Sequence, residues 1–270
     1  MLRKLLVPLL ALAALGFAAS VSAAGKTSLT WYGHAAFKIV TPEGHVLVID
    51  PYITNPSNPK GKDDLAALTK VDLILVSHGH MDHIGNAVDI AKRTGAQLVT
   101  NFDLGTAMVT YLGFPAGQAG YLTQGNAGGT LTLLDGEVSI TFEPAVHGST
   151  FSPPAASGTA PVMAAAGSPG GFVIRIKHGP TFYHTGDTAA FGDMKLIGEL
   201  HKLDAAFLPI GDFYTMGPER AAKAVSLLGV KTVVPMHFGT FPILHGRPSQ
   251  LQELVGKDVK VLEVKPGDTI

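Results

Sequence analysis

The stretch Ser77-His78-Gly79-His80-Met81-Asp82-His83 constrains this chain more than any other. It follows directly on the apolar run Val71-Asp72-Leu73-Ile74-Leu75-Val76, which is short, rich in branched side chains and reads as a buried β-strand. A strand that ends in a polar, glycine-containing turn leaves its next side chains at the sheet edge, where they can converge. His78 and His80 are two residues apart, so on extended backbone they point the same way and can grip one cation. Asp82 and His83 come after the chain turns, face elsewhere, and can serve a second cation. Imidazole and carboxylate seldom cluster this densely without a metal to hold.

The composition narrows the chemistry. No cysteine occurs among the 270 residues, which excludes disulfides, sulfur-ligated zinc and thiol catalysis, so any metal is held by nitrogen and oxygen. With 46% hydrophobic and 15% charged residues, the chain has enough apolar material for one sizeable core. A formal net charge of −1 offers no electrostatic footprint for nucleic acid or an anionic membrane. At the start, Arg3 and Lys4 precede an apolar run from Leu5 to Ala19 and the small residues Val21-Ser22-Ala23. That pattern reads as a removed leader over residues 1–23, too short for an anchor, and predicts a periplasmic or secreted protein without stable membrane insertion.

Along the remainder, 24–270, the reading is one domain of strands with interspersed helices. Strands are expected at Leu29–Tyr32, Ala36–Val40 and His45–Ile49, the last ending at Asp50-Pro51. There Asp50 either fixes the tautomer of a ligand histidine or simply forms a turn before proline. Helices are expected over Asn86–Thr94, Asp103–Leu112, Phe191–His201, Pro218–Leu228 and Ser249–Val255. Further strands are expected at Gln97–Thr100, Leu131–Leu134, Val138–Phe142, Gly171–Lys177, Thr181–His184, Asp204–Ile210, Lys231–Pro235 and Val259–Val264. Ser152 to Gly171, uncharged and without period, reads as a flap over a site or as a disordered insertion. His147, Asp187 and His237 each lie just beyond an apolar strand and near a glycine, as the first cluster does, which makes one shared site plausible.

The chain resembles the metallo-β-lactamase superfamily in Asp50, His78-x-His80-x-Asp82-His83, His147, Asp187 in Thr-Gly-Asp-Thr, and His237 before a phenylalanine. It is most similar to the small metal-dependent hydrolases (UPF0173-like) whose best-known relative is ascorbate-6-phosphate lactonase. Trp31-Tyr32-Gly33-His34, Pro209-Ile210-Gly211-Asp212, Thr215-Met216-Gly217-Pro218-Glu219 and Pro235-Met236-His237-Phe238-Gly239-Thr240 carry that likeness. The resemblance implies an α/β fold, a four-layer αββα sandwich of the metallo-β-lactamase type. It also implies two divalent metal ions: His78, His80 and His147 on the first, Asp82, His83 and His237 on the second, Asp187 bridging. Zinc is the first choice, with manganese or iron as alternatives.

Two such cations about 3.5–4 Å apart acidify a shared water enough to give hydroxide near neutral pH. The expected activity is therefore metal-dependent hydrolysis of an ester-like bond in a small molecule: a lactone, thioester or phosphodiester. Catalytic roles fall to Asp82 and Asp187, with His34 lining the site and His184 behind the metal turn as a support or a buried structural residue. His45, His178, His201 and His245 read as solvated. Superfamily members that open β-lactams usually lack the bridging aspartate, so Asp187 argues against that substrate. The competing function is a metal-binding or sensory domain without turnover. The sequence leaves the oligomeric state open.

Overall fold

The computed structural model describes residues 26–153 and 162–270, so the leader-like segment 1–23 lies outside the described residues. Six strands form the first sheet in chain order: β1 Ser28–Trp31, β2 Phe37–Val40, β3 Val46–Ile49, β4 Leu73–Leu75, β5 Gln97–Asn101 and β6 Gln124–Gly125. The first three pair antiparallel, and β3 to β6 run parallel. The second sheet holds β7 Thr130–Leu133 and β8 Val138–Pro144, then, beyond a short ribbon of β9 Thr150–Phe151 and β10 Ala164–Ala165, five more strands. These are β11 Gly170–Ile176, β12 Thr181–His184, β13 Ala205–Pro209, β14 Thr232–Met236 and β15 Lys260–Val261, in the order β15-β14-β13-β12-β11-β8-β7. Here too an antiparallel set, β7 to β12, runs into a parallel one, β12 to β15.

Period-two alternation sorts the side chains into three cores. Phe37, Ile39, Leu47, Ile49, Leu73 and Leu75 face inward and meet Ile140, Phe172, Ile174, Phe207 and Met236 of the second sheet. Phe37 stacks on Phe207 across this interface with ring centroids 4.6 Å apart. Val48, Ile74, Val76 and Leu98 point the other way, onto α1 Gly61–Ala67, α2 Met81–Ile84, α3 Ala87–Thr94 and α4 Phe102–Leu112. Val173, Tyr183, Ala206, Leu208 and Val233 cover α5 Met194–Leu200, α6 Pro218–Leu228 and α7 Pro248–Val255. Helices, sheet, sheet, helices: the four expected layers are present.

Most elements fall where the pattern places them. α6 starts at Pro218 and stops at left-handed Gly229 (φ 65°), the asymmetry its sequence announces. Three differences have local causes. α1 follows two prolines and offers the core little beyond Leu65 and Leu68, so it has no helical stripe to read. The final strand is shorter than Val259–Val264, because beyond Leu262, whose N–H still donates to Val233 O of β14 at 2.8 Å, the chain returns to the first sheet. There Leu29 and Ile270 exchange backbone hydrogen bonds of 2.7 and 2.8 Å. The described end of Ser152–Gly171 is well packed: Ala164–Ala165 pairs with β9, Ala166 is buried, and Gly170–Gly171 opens β11. Residues 154–161 lie outside the described residues.

Candidate metal centre

The topology brings the polar residues together. β1, β3 and β4 share one direction in the first sheet, as do β8, β12 and β14 in the second. Their carboxyl ends therefore open on one edge, and the residues just past them are His34, Asp50, the 78–83 cluster, His147, Asp187 and His237. Three of these, His34 (φ 52°), Asp50 (φ 43°) and His237 (φ 54°), are non-glycine residues in the left-handed region. Such backbone costs on the order of 1–3 kcal/mol each and persists where surrounding structure over-determines it. Here the His34 carbonyl accepts from the Trp31 indole at 3.0 Å and from the His237 N–H at 3.0 Å, while the Asp50 N–H donates to Leu75 at 2.9 Å.

The first-sheet residues are tied to one another. The buried Asp50 carboxylate accepts from the Ser77 N–H at 2.7 Å, from Ser77 Oγ at 2.6 Å and from His83 Nδ1 at 2.7 Å. That last bond puts one His83 proton on Nδ1 and aims Nε2 at the pocket. Asp50 thus does more than form a turn. Ser77 Oγ also lies 3.0 Å from His78 Nδ1, so one hydroxyl links Asp50 to a second imidazole. His34 contacts Asp82 Oδ2 through Nε2 and Thr240 Oγ1 through Nδ1, both at 2.9 Å. Gly79 lies against Ala166 and Thr150, leaving no room for a Cβ, and its N–H donates to Ser149 Oγ.

The donor atoms fall into two groups, linked by a third made of His78, His83 and Asp187. His78, His80 and His147 have ring nitrogens close enough to share one ion, and so do the donors of His34, Asp82, His83 and His237. Between them stands Asp187. Its Oδ2 lies 3.1 Å from His237 Nε2, 3.2 Å from His83 Nε2, 3.6 Å from His147 Nε2 and 4.0 Å from His78 Nε2. Among the described residues, buried His83 Nε2, Asp187 Oδ1 and both ring nitrogens of His237 have no hydrogen-bond partner. An unpaired buried polar atom costs about 1–3 kcal/mol, so four in one pocket fit a cation and fit a merely structural network poorly.

The charges sort in the same sense. Burial pushes the Asp187 carboxyl up, but the His237 and His83 imidazoles outweigh it and hold the group well below the usual carboxylate range. Asp82 is likewise raised by burial and brought far down by the His237 imidazole 3.7 Å away and by the hydrogen bond to His34. Burial lowers His237, and Asp187 with Asp82 carries it back up to about 9. His83, also lowered by burial, ends well above its ordinary value through Asp187 and Asp50. His78, His80 and His147 stay depressed, chiefly by burial, and His34 falls to about 4 by burial and the neighbouring His237. Two carboxylates are thus balanced by protons on two histidines, and a metal would take the place of those protons.

The other histidines divide. His184 touches no donor side chain; its Nε2 lies 3.1 Å from the Ala35 carbonyl and its Nδ1 accepts from the Gly186 N–H at 3.2 Å. It braces the turn that presents Asp187. His45 and His201, read as solvated, are half-buried and paired, with Glu137 at 2.6 Å and Glu143 at 2.9 Å. Ser77, Thr240 and Ser149 support the site without having been singled out. A hydroxyl beside a histidine has no spacing that distinguishes it from any other loop residue.

Residues 45–238 match the family model described as the beta-lactamase superfamily domain. The chain is 52% identical over 253 residues to the UPF0173 metal-dependent hydrolase of Thermodesulfovibrio yellowstonii, a match covering 93% of this chain and 94% of the relative. It is 48% identical over 251 residues to the UPF0173 metal-dependent hydrolase of Anaeromyxobacter dehalogenans, covering 92% and 88%. Among solved structures it is similar to Igni18, a metallo hydrolase from the hyperthermophilic archaeon Ignicoccus hospitalis. The TM-score is 0.77 at 35% identity, over 90% of this chain and 97% of that one. Strand order, donor set and these likenesses agree: the chain belongs to the beta-lactamase superfamily and, within it, to the UPF0173 metal-dependent hydrolases.

Proposed function

We propose that this hydrolase uses two divalent cations, held side by side, to cleave an ester-like bond in a small molecule outside the cytoplasm. The observation that carries the reading is Asp187, one carboxylate oxygen of which lies within 4.0 Å of imidazoles from both donor groups. His78, His80 and His147 would hold the first cation, Asp82, His83 and His237 the second, with Asp187 between. The nitrogen and oxygen donor set favours zinc, with manganese or iron as alternatives. Bound there, such a pair supplies Lewis acidity and a water acidified toward neutral pH.

The chain's own residues have distinct tasks. Asp50 and Ser77 fix the tautomer and ring direction of His83 and steady His78. His34 has both ring nitrogens engaged and no exposed surface, so it positions Asp82 rather than trading protons with substrate. The Asp82 side chain is 32% exposed, and its Oδ1 is free of hydrogen bonds among the described residues. It would accept the proton of the attacking water as the new carbon–oxygen or phosphorus–oxygen bond forms. It then returns that proton to the leaving oxygen or sulfur as the scissile bond breaks. The leader-like pattern of residues 1–23 supports periplasmic or secreted placement, with a mature amino terminus near Ala24 that mass spectrometry of the exported protein reads directly.

The test is a hydrolysis panel of a lactone, a thioester, a phosphodiester and a β-lactam, run metal-loaded and chelated, with metal content measured in parallel. Two metals per chain and chelator-sensitive turnover of one of the ester-like classes are expected. Metal uptake with no chelator-sensitive turnover on any of them would overturn the reading.

A further inference from the structure

The loops around the donors have a common character that the metal chemistry does not require. Residues 31–36, 50–55, 76–86, 144–152, 185–193, 210–217 and 237–246 contain no lysine or arginine. The nearest cationic residues in sequence are Arg247 at the start of α7, Lys38 on β2, Lys195 on α5 and Arg220 on α6, all on the elements that flank these loops. A phosphate or carboxylate on a substrate is ordinarily met by arginine or lysine, and these loops offer neither. They offer exposed apolar side chains instead. Met81, next to His80, is 53% exposed, and Phe241, whose ring lies 5.9 Å from that of His34, is 37% exposed.

The loop after β13 adds two more. It packs on the His237 loop through Ile210 N–H to Met236 O at 3.1 Å and Gly246 N–H to Gly211 O at 3.4 Å. Asp212 (φ 67°) and Phe213 (φ 60°) are consecutive non-glycine residues in the left-handed region, a conformation that a bulky residue such as phenylalanine rarely adopts. The turn is closed by Asp212 N–H to Met216 O at 3.0 Å and Tyr214 N–H to Asp212 O at 2.7 Å. Its effect is to display Phe213 and Tyr214, 64% and 61% exposed, edge-on to each other with centroids 4.8 Å apart. Strained backbone that presents aromatic rings to water is disfavoured twice over, and such arrangements concentrate where something binds.

We propose that Phe213, Tyr214, Phe241 and Met81 form an apolar rim that receives an uncharged alkyl or aryl tail, so that the substrates are neutral lactones or esters rather than phosphate- or carboxylate-bearing molecules. This rests on the hydrolase reading above. The experiment uses the metal-loaded enzyme on γ-lactones whose alkyl tail lengthens from none to eight carbons, with bis(p-nitrophenyl) phosphate and a carboxylate-tailed lactone alongside. Calorimetric binding of the matching γ-lactams, which resist hydrolysis, gives a second readout. Burying a methylene favours binding about three- to fourfold, so kcat/KM and lactam affinity should climb by up to that factor per carbon over the first several. The double variant F213A/Y214A should flatten both slopes, while L200A, an exposed residue at the far end of α5, keeps them.

Slopes in lactam binding without turnover of any lactone, thioester or phosphodiester would sustain the rim and overturn the ester-like reaction. Turnover and binding that ignore tail length, or that prefer the anionic compounds, would overturn the rim and leave the hydrolase reading standing. Concentration-dependent dimerisation abolished by F213A/Y214A, with no dependence on tail length, would give the rim to a second copy of the chain and also overturn it.

Discussion

The two sheets that meet at the donor edge share a plan and differ in how they hold their donors. Each runs from antiparallel strands into a parallel set, carries helices on its outer face and sends side chains from the carboxyl ends of its strands. In the first-sheet half, side chains brace side chains: Asp50 to Ser77 and His83, Ser77 to His78, His34 to Asp82. In the second-sheet half, placement comes through the backbone. The His237 N–H donates to the His34 carbonyl, the Gly186 N–H to His184, and the Val146 N–H, one residue before His147, to Thr188 Oγ1 at 3.0 Å. Both ring nitrogens of His237 and Asp187 Oδ1 have no hydrogen-bond partner among the described residues. One half presents a pre-oriented grip; the other supplies donors whose orientation a bound metal would complete.

The most severe way to break this division is Asp187→Asn, which keeps the shape and removes the charge shared between the donor groups. We expect kcat/KM to fall by about 10³-fold, the scale of several kcal/mol of lost electrostatic stabilisation. Metal content by mass spectrometry should drop below two per chain. A variant that kept both ions and near-native turnover would remove Asp187 from the centre. Asp50→Asn probes the braced half. It leaves the donor ring of His83 in place but weakens what orients it, so metal affinity should drop about 10–100-fold. Unchanged affinity in a chelator competition would show that the brace is decorative.

How much of this was legible in the sequence follows the same division. Four donors within six residues after a strand could be read from residue types alone, because local backbone geometry already places them. His147, Asp187 and His237 are single polar residues at strand ends. Only the register of three non-adjacent strands brings them together; their recurrence beyond apolar strands suggested one shared site, and the family resemblance implied which cation each would serve. The braces divide too. Asp50 could be foreseen as a tautomer-fixing partner, whereas Ser77 and Thr240 act through contacts with residues 27 and 206 positions away. The α/β layering was readable from alternation. The short α1 and the return of Ile270 to the first sheet were not, since neither has a periodic apolar face.

A milder substitution sharpens the comparison from the other side. Thr188→Val removes the hydroxyl that accepts the Val146 N–H at 3.0 Å, at a fully buried position. Leaving that N–H unpaired should cost about 1–3 kcal/mol of stability. Because His147 itself keeps its backbone path, metal affinity should change less than about tenfold, below the range expected for removing a direct brace. A loss as large as that of Asp50→Asn would mean the two halves are braced alike. Urea titration and chelator competition on the same preparations separate the two quantities.

The smallest effect is expected at the opposite edge, where the halves are joined away from the donors of the candidate centre. Glu137, in the turn between β7 and β8, accepts from Thr41 Oγ1 at 2.8 Å, from the Glu43 N–H at 3.0 Å and from His45 Nδ1 at 2.6 Å, all in the turn between β2 and β3. Burial raises its carboxyl, but these partners outweigh burial and hold it below the ordinary 4.5. A carboxyl depressed on folding contributes stability that is fully present above its unfolded value and lost as pH falls through the folded one. Glu137→Gln should therefore melt below the parent at pH 7, and the two melting temperatures should draw together as pH drops under 4.5. Metal content and turnover at pH 7 should stay within about twofold, since the site is distant and shares no partner with the donors. An offset in melting temperature that is constant from pH 7 to pH 3 would mean that Glu137 acts through packing alone, and that the charge does not latch the two halves together.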